Sequence, residues 1–332
     1  MISFPNLCDS DRIVWNKSNR LQNNALEISS VKLTMYGSAI SRNACVGILQ
    51  LMTIRILAIG DVVGKPGRQI IHEKLPALVR EKKIDFVIAN AENIAGGSGI
   101  TSNLFHKIRS YGVDACTLGD HAFRKSEIAY TLNTSERIVR PANMPASSPG
   151  KTFTVVTSNT GVQVAIFAVM GRIFMNLPCD DPFAAADKVL REIAPQVKVR
   201  VCDIHAEASS EKIALTHHLD GRASFVFGTH THVPTADARL TKLGTAAISD
   251  VGMTGPYDSV LGRRKERVLQ FMTTAQPAAF DVATDDVRMC GALAEIDVHT
   301  GRAISIERIE VTGDNARDAY DADDRETNRS HG

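Results

Sequence analysis

Short apolar runs and stretches with helical spacing alternate along the chain from about residue 53 onward. The predicted strands of this first part are residues 54–59, 85–89 and 114–118. The helices predicted after them are residues 67–82, 101–111 and 125–132. Because buried strands that alternate with helices are typical of layered α/β domains, the pattern predicts that fold class.

The second part of the pattern mixes parallel-type and antiparallel-type signals. A hairpin is predicted at residues 152–157 and 163–169, on either side of the turn SNTG. Further strands are predicted at residues 199–204, 223–228, 246–249, 279–282, 288–298 and 303–311, and helices at 181–193 and 209–218. No linker divides residues 53–312, so we expect one domain there.

The two ends of the chain differ from this middle. Residues 1–52 show no sustained period, and the fold signal begins with MTIRILAIGDVVG at Met52. We therefore expect residues 1–52 to be a disordered N-terminal extension or a start-site artefact. Residues 313–332 are polar and poor in aromatic residues, which predicts a disordered tail.

Composition and charge narrow the classes of function. The 332 residues carry a net charge of +1, which excludes strong nucleic-acid binding driven by overall charge. No apolar run reaches the ~18 residues that span a bilayer, so no membrane association is expected. The six cysteines are scattered without a CxxC pair, which predicts a reducing, cytoplasmic compartment.

Polar residues are concentrated where the predicted strands end, the edge at which α/β sheets bind ligands. They are Asp61, Glu92, Asn93, Asp120, His121, His205, His230, His232 and Asp250. Helix capping and turns explain single residues of this kind, but they do not require four histidines among nine positions. Carboxylates, an amide and imidazoles together predict a site for two metal ions.

Two histidine arrangements sharpen this prediction. In an extended segment, residues i and i+2 point to one side, so His230 and His232 are expected to face one metal cluster together. His121 directly follows Asp120 and can act as a general acid without ligating a metal, unless it caps the next helix. Arg140 and Arg172 are candidate substrate contacts, the alternative for each being a salt bridge that anchors a loop.

Other enzyme classes lack their motifs in this chain. The glycine-rich stretches GDVVGKPG and GGSG match neither GxxxxGK[ST] nor GxGxxG, and no GxSxG is present. P-loop, dinucleotide-binding and acyl-transfer enzymes are therefore not indicated.

The chain does contain an ordered set of longer motifs, which are GDVVGKPGR, NAENIAGGSGIT, LGDHAF, RPANMP, DIHAEASSEK, DGRAS, GTHTHVPTAD and DVGMTGPYDSVLG. With these motifs, residues 53–311 resemble the YmdB-like branch of calcineurin-type metallophosphoesterases. The resemblance implies a four-layer αββα sandwich of two mixed sheets, and phosphodiesterase activity on 2′,3′-cyclic nucleotides.

The resemblance also implies roles for individual residues. One metal would be held by Asp61, Glu92, Asn93 and His232. The other would be held by Glu92 as the bridge, Asp120, His205 and His230, with His121 as proton donor. The family usually has Asn where this chain has Asp120, and the wider superfamily has His at the position of Val63. Iron is the first candidate for both metals, and manganese or zinc also suit these ligands.

Two other functions stay open at this stage. The chain could be a metal-containing regulator that binds a partner and turns over weakly. It could also be a phosphomonoesterase or protein phosphatase. The expected partner is a small phosphodiester, and the sequence leaves open whether the chain forms a homo-oligomer.

Overall fold

The structure is a computed structural model that describes residues 52–320 and residue 324. Its helices are α1 (Gly64–Lys82), α2 (Ser102–Ser110), α3 (Ile128–Thr134), α4 (Pro182–Glu192), α5 (Ser209–Leu219) and α6 (Lys265–Thr274). Its strands are β1 (Thr53–Ile59), β2 (Asp61–Val62), β3 (Phe86–Asn90), β4 (Ala115–Thr117), β5 (Ile138–Val139), β6 (Phe153–Thr157), β7 (Gln163–Met170), β8 (Val199–His205), β9 (Phe225–Thr229), β10 (Arg239–Leu240), β11 (Ala246–Ile248), β12 (Met253–Pro256), β13 (Val287–Asp297) and β14 (Ala303–Thr312).

These strands form two mixed sheets. The first sheet has the order β2-β12-β13-β1-β3-β4-β5, with β14 paired to β13. Within it β1, β3, β4 and β5 run parallel, while β13 is antiparallel to β1. The second sheet has the order β10-β11-β9-β8-β7-β6, with β7, β8, β9 and β11 parallel. The loops that follow the parallel strands therefore gather at one edge of each sheet.

The alternation of side chains along the strands divides the molecule into four layers. Ile56 of β1 and Phe225 of β9 belong to one apolar cluster between the sheets. Leu57, the next residue along β1, packs instead with α1, α2 and α3 on the outer face of the first sheet. Helices α4 and α5 cover the outer face of the second sheet through Val189 and Leu215. The predicted αββα sandwich of two mixed sheets is confirmed.

Two local predictions need correction. Residues 279–282 do not form a strand, because only Val282 finds a bridge partner there, Arg263. Helix α6 was not predicted, although its apolar residues Val268, Leu269, Phe271 and Met272 have helical spacing. Of these four residues, only Val268 is buried in the structure. None of the helices in the described part of the chain combines the length and the apolar character that a membrane span requires.

The structure departs from the expected disorder in the described part of the C-terminal segment. Ala316 and Ala319 are buried, and the hydroxyl of Tyr320 accepts a hydrogen bond from Val282 N at 3.2 Å. Asp324 forms an ion pair with Arg68 at 2.9 Å, with both side chains almost fully buried. Buried contacts thus fix a stretch whose polar composition suggested disorder. The predicted N-terminal extension lies outside the described residues, apart from Met52.

Candidate metal centre

All seven predicted ligands and His121 lie at the edge where the parallel strands end. In the first sheet, Asp61 begins β2, Glu92 and Asn93 follow β3, and Asp120 and His121 follow β4. In the second sheet, His205 is the last residue of β8, and His230 and His232 follow β9. Packing the two sheets face to face brings these loop ends together.

Four of these residues form the tightest group. His205 Nε2 lies 2.9 Å from Asp120 Oδ1 and 3.2 Å from Glu92 Oε1. His230 Nδ1 lies 3.1 Å from His205 Nε2 and 3.4 Å from Asp120 Oδ1. One potential ligand atom from each of the four residues lies within 4.8 Å of the other three. This group is the set that the resemblance assigned to one metal.

The remaining ligands adjoin that group through Glu92. Asn93 Nδ2 lies 3.3 Å from both Glu92 Oε1 and His232 Nε2. His232 Nε2 lies 3.7 Å from Asp61 Oδ1. Asp61 Oδ1 is buried and has no hydrogen-bond partner among the described residues. Since a buried carboxylate oxygen without a donor is costly, this atom fits a cation beside it, and the donor set as a whole fits transition metals.

The electrostatics of the group also favour bound positive charge. Burial raises the pKa of Glu92 and of Asp120, but the nearby imidazoles outweigh it and hold both pKa values below their usual range. For His205, burial lowers the pKa, yet the carboxylates of Glu92 and Asp120 raise it well above its usual value. The carboxylates thus favour a cation at this point of the fold.

The loop that carries His230 and His232 is not extended, so that part of the prediction is wrong. Strand β9 ends at Thr229, and His230 and His232 have positive φ angles of 93° and 62°. Both imidazoles nevertheless face the carboxylates, because the loop turns rather than alternates. Asp250 fixes the turn, since its Oδ2 accepts from Thr231 Oγ1 at 2.6 Å and from buried Lys212 Nζ at 2.7 Å.

Behind the ligands, a buried carboxylate organises His205. Asp203 Oδ1 accepts from Thr229 Oγ1 at 2.7 Å, and Thr229 Oγ1 lies 2.8 Å from His205 Nδ1. Because the hydroxyl proton is given to Asp203, the oxygen is free to accept from Nδ1–H of His205, which leaves Nε2 for a metal. Thr117 Oγ1 and Asn90 Nδ2 donate to the other oxygen of Asp203, at 2.5 and 3.1 Å.

Asp203 was missed as a supporting residue, although the sequence held a signal for it. It is a charged residue inside an apolar strand, two positions before His205, and it is fully buried. Burial raises the pKa of Asp203 to about 6. The structure also explains the glycine of the LGDH motif, because a Cβ at Gly119 would collide with the imidazole of His205.

His121 lies beside the ligands and borders the cleft. Its backbone N donates to Glu92 Oε2 at 2.9 Å, and its Nδ1 lies 2.7 Å from Asn93 Oδ1. Its Nε2 lies 3.6 Å from Asp120 Oδ2, and 26% of its side chain is exposed. The ring is thus held through Nδ1, while the side chain keeps access to solvent.

A cleft of about 270 Å³ opens over the group. Its lining residues are Glu92, Asn93, Gly97, His121, Glu207, His230, Thr231, His232, Leu261 and Arg263. Sequence reasoning missed Glu207, which lies 3.3 Å from His230 Nε2 and follows His205 in the motif DIHAE. It also missed Arg263, which no sequence pattern indicated and whose Nη1 donates to Gly96 O at 3.1 Å.

The two predicted substrate arginines lie elsewhere. Arg140 lines a separate cavity beside α4, and the backbone N of Arg172 donates to Glu211 at 3.0 Å while its side chain is exposed. Neither belongs to the residues that line the cleft. Substrate contact by Arg140 and by Arg172 stays a prediction.

Comparison with known proteins identifies the family of the chain. The model of the family described as YmdB-like protein matches residues 57–309. The chain belongs to the YmdB-like family. This YmdB-like chain is 45% identical over 261 residues to a 2′,3′-cyclic-nucleotide 2′-phosphodiesterase of Bacillus subtilis, covering 79% of the chain and 98% of that relative. All seven predicted ligands lie within the matched range.

Two solved structures share the YmdB-like fold. A hypothetical protein from Thermus thermophilus is 42% identical, with a TM-score of 0.72 over 78% of this chain and 99% of that one. A phosphatase from Mycoplasma pneumoniae is 32% identical, with a TM-score of 0.75 over 80% of this chain and 96% of that one. The family resemblance inferred from the motifs is thereby confirmed.

Proposed function

We propose that this YmdB-like chain is a metal-dependent phosphodiesterase that hydrolyses 2′,3′-cyclic nucleotides. The observation that carries the proposal is the group of Glu92, Asp120, His205 and His230, whose ligand atoms lie within 4.8 Å of one another. The substrate class is supported by the name of the Bacillus subtilis relative, nearly all of which this chain covers. The Mycoplasma relatives, with names that include phosphatase, support hydrolysis of a phosphate ester in general.

The residues present would hold two cations, with iron as the first candidate and manganese or zinc as alternatives. Asp61, Asn93 and His232 would hold one, Asp120, His205 and His230 the other, and Glu92 both. When bound, two such cations supply Lewis acidity that activates water and offsets the charge of the phosphate. Asp120 adds one negative charge relative to the family's usual Asn, so it would neutralise part of the positive charge of the two cations.

The chain's own chemistry centres on His121. Its Nδ1 is held by Asn93 Oδ1 at 2.7 Å, which leaves Nε2 to deliver a proton to the departing ribose oxygen. The backbone N–H of His121 donates to Glu92, so the position of the acid is tied to the bridging ligand. Arg263 and Glu207, at the wall of the cleft, would contact the rest of the substrate.

The test combines metal content with substrate preference. Protein purified anaerobically is analysed for metal and assayed with a panel of 2′,3′-cyclic nucleotides, bis-p-nitrophenyl phosphate and p-nitrophenyl phosphate. We expect two metals per chain and faster turnover of the diesters. Faster turnover of the monoester would establish a phosphomonoesterase instead. No turnover with any divalent metal, with partner capture retained, would favour the regulator.

We propose the cytoplasm as the location, on the basis of the cysteines. Cys116, Cys179, Cys202 and Cys290 are all free thiols, and Cys116 and Cys202 are buried in the core. Free buried thiols suit a reducing compartment. Fractionation of cells followed by immunodetection tests this location.

A further inference from the structure

A second cavity of about 410 Å³ lies between the segment that follows β5 and helix α4. It shares no lining residue with the cleft over the metal centre. Its lining residues are Arg140, Ala142, Asn143, Met144, Ala146, Thr152, Asp180, Asp181, Ala184, Ala185, Lys188, Val189 and Glu192. Much of its wall is therefore formed by small apolar side chains, with one buried cation among them.

Arg140 is that cation, and its guanidinium is largely unpartnered. The residue is 3% exposed, and Nη1 donates to Pro141 O at 2.9 Å. Among the described residues this is its one side-chain hydrogen bond, and no carboxylate oxygen lies within 4.0 Å of it. A guanidinium has five N–H donors, and a buried charge without a counter-ion is strongly unfavourable. The site therefore lacks an anion.

The carboxylates around this cavity do not supply that anion. Asp181 caps α4 by accepting from Phe183 N at 2.9 Å, and Glu192 lies 4.0 Å from Lys188. These residues and Asp180 are exposed at the mouth of the cavity, not in its interior. Because these carboxylates are negatively charged, they repel a dianion more strongly than a monoanion. The cavity therefore favours a ligand with a single negative charge.

We propose that this cavity binds a small organic monocarboxylate. Its carboxylate would pair with Arg140, and its apolar part would pack against Ala142, Met144 and Val189. Thr152 also lines the cavity, and its hydroxyl would be a further donor to the carboxylate. Since liquid water occupies about 30 Å³ per molecule, the volume has room for a ligand with several carbon atoms.

The test uses isothermal titration with butyrate and benzoate, with benzamide as the uncharged analogue and inorganic phosphate as the dianion. We expect saturable binding of one carboxylate per chain and no binding of benzamide. Arg140→Met should weaken that binding about 10- to 100-fold, the range for hydrogen bonds to charged groups. The melting temperature of Arg140→Met should not fall, because the substitution removes an unpaired buried charge.

Two further variants separate the cavity from its charge. Ala185→Leu fills the cavity and should abolish binding with Arg140 still present. Arg191→Gln, which changes an exposed residue of α4 that does not line the cavity, should bind as wild type does. Glu92→Gln, which we expect to lose metal, should also bind the carboxylate normally, and this distinguishes the cavity from the metal centre. The proposal is overturned by absence of saturable carboxylate binding, by equal binding to Arg140→Met, or by phosphate binding that is tighter than carboxylate binding and is lost in Arg140→Met.

Discussion

The two sheets contribute chemically different halves to one metal centre. Every oxygen ligand, from Asp61 to Asp120, belongs to or follows a strand of the first sheet. Every nitrogen ligand, from His205 to His232, belongs to or follows a strand of the second sheet. Neither sheet forms the metal site alone, because the first sheet supplies only the oxygen ligands and the second sheet supplies only the imidazoles. Packing of the sheets thus creates the centre.

The halves also differ in how they are supported. The carboxylates accept hydrogen bonds from backbone N–H groups of the ligand loops, Glu92 from His121 N and Asp61 from His230 N. The imidazoles depend on buried polar residues behind them, Asp203 for His205 and Asp250 for the loop that carries His230. Ligand orientation on the nitrogen side should therefore be sensitive to residues that never touch a metal.

The largest effect is expected at Glu92, the residue that connects the two metal positions. Glu92→Gln removes the charge shared by both cations, so we expect greater metal loss than for any other single ligand substitution, and activity near background. Elemental analysis of the purified variant measures the metals per chain. Retention of two metals per chain would remove the bridging assignment.

The next effect concerns proton transfer and not metal binding. His121→Ala should keep two metals per chain but lose about 10²–10⁴-fold in rate, the range for a missing general acid. The loss should be largest for a ribose leaving group and smaller for p-nitrophenolate, which needs little protonation. Steady-state rates with both substrates measure this difference. Equal losses, or metal loss, would instead make His121 an orienting residue or a ligand.

A smaller effect should reveal the support behind the nitrogen side. Thr229→Val keeps the shape of the side chain but removes the hydroxyl between Asp203 and His205, so we expect about 10- to 100-fold weaker metal affinity. Thr229→Ser restores the hydroxyl and is the matched control. Metal titration of both variants, with melting temperatures, gives the comparison. Equal affinities in the two variants would mean that the hydroxyl does not orient His205.

The smallest effect is expected from removal of residues 1–51. A chain beginning at Met52 should fold and keep full activity, because the fold signal of the sequence starts there. Its melting temperature and its rate are compared with those of the full chain. A large drop in melting temperature would show that residues 1–51 contribute to stability.

Most of the centre was predictable because ligand residues at strand ends leave a local signal. Glu92, Asp120 and His205 each come just after or at the end of an apolar run, so their meeting follows from sheet geometry. Arg263 was not predictable in this way, because its place at the cleft depends on a tertiary contact with Gly96 that no local pattern encodes.

Predictions of backbone shape were less successful than predictions of residue identity. His230 and His232 were expected on an extended segment, but buried Asp250 holds their loop in a turn. Helix α6 was missed for a different reason, since its apolar residues Val268, Leu269 and Phe271 do have helical spacing but were not assigned to a helix. A long-range contact thus decided the shape of the histidine loop, but not the omission of α6.

The positive φ angles of His230 and His232 bear on how this protein responds to selection. Each such backbone conformation costs of the order of 1–3 kcal/mol for a residue other than glycine. Whole domains are stable by only about 5–15 kcal/mol, so the loop takes a sizeable share. Selection for thermal resistance alone would favour glycine at these two positions and eliminate the ligands. Their histidines persist only while activity is selected at the same time.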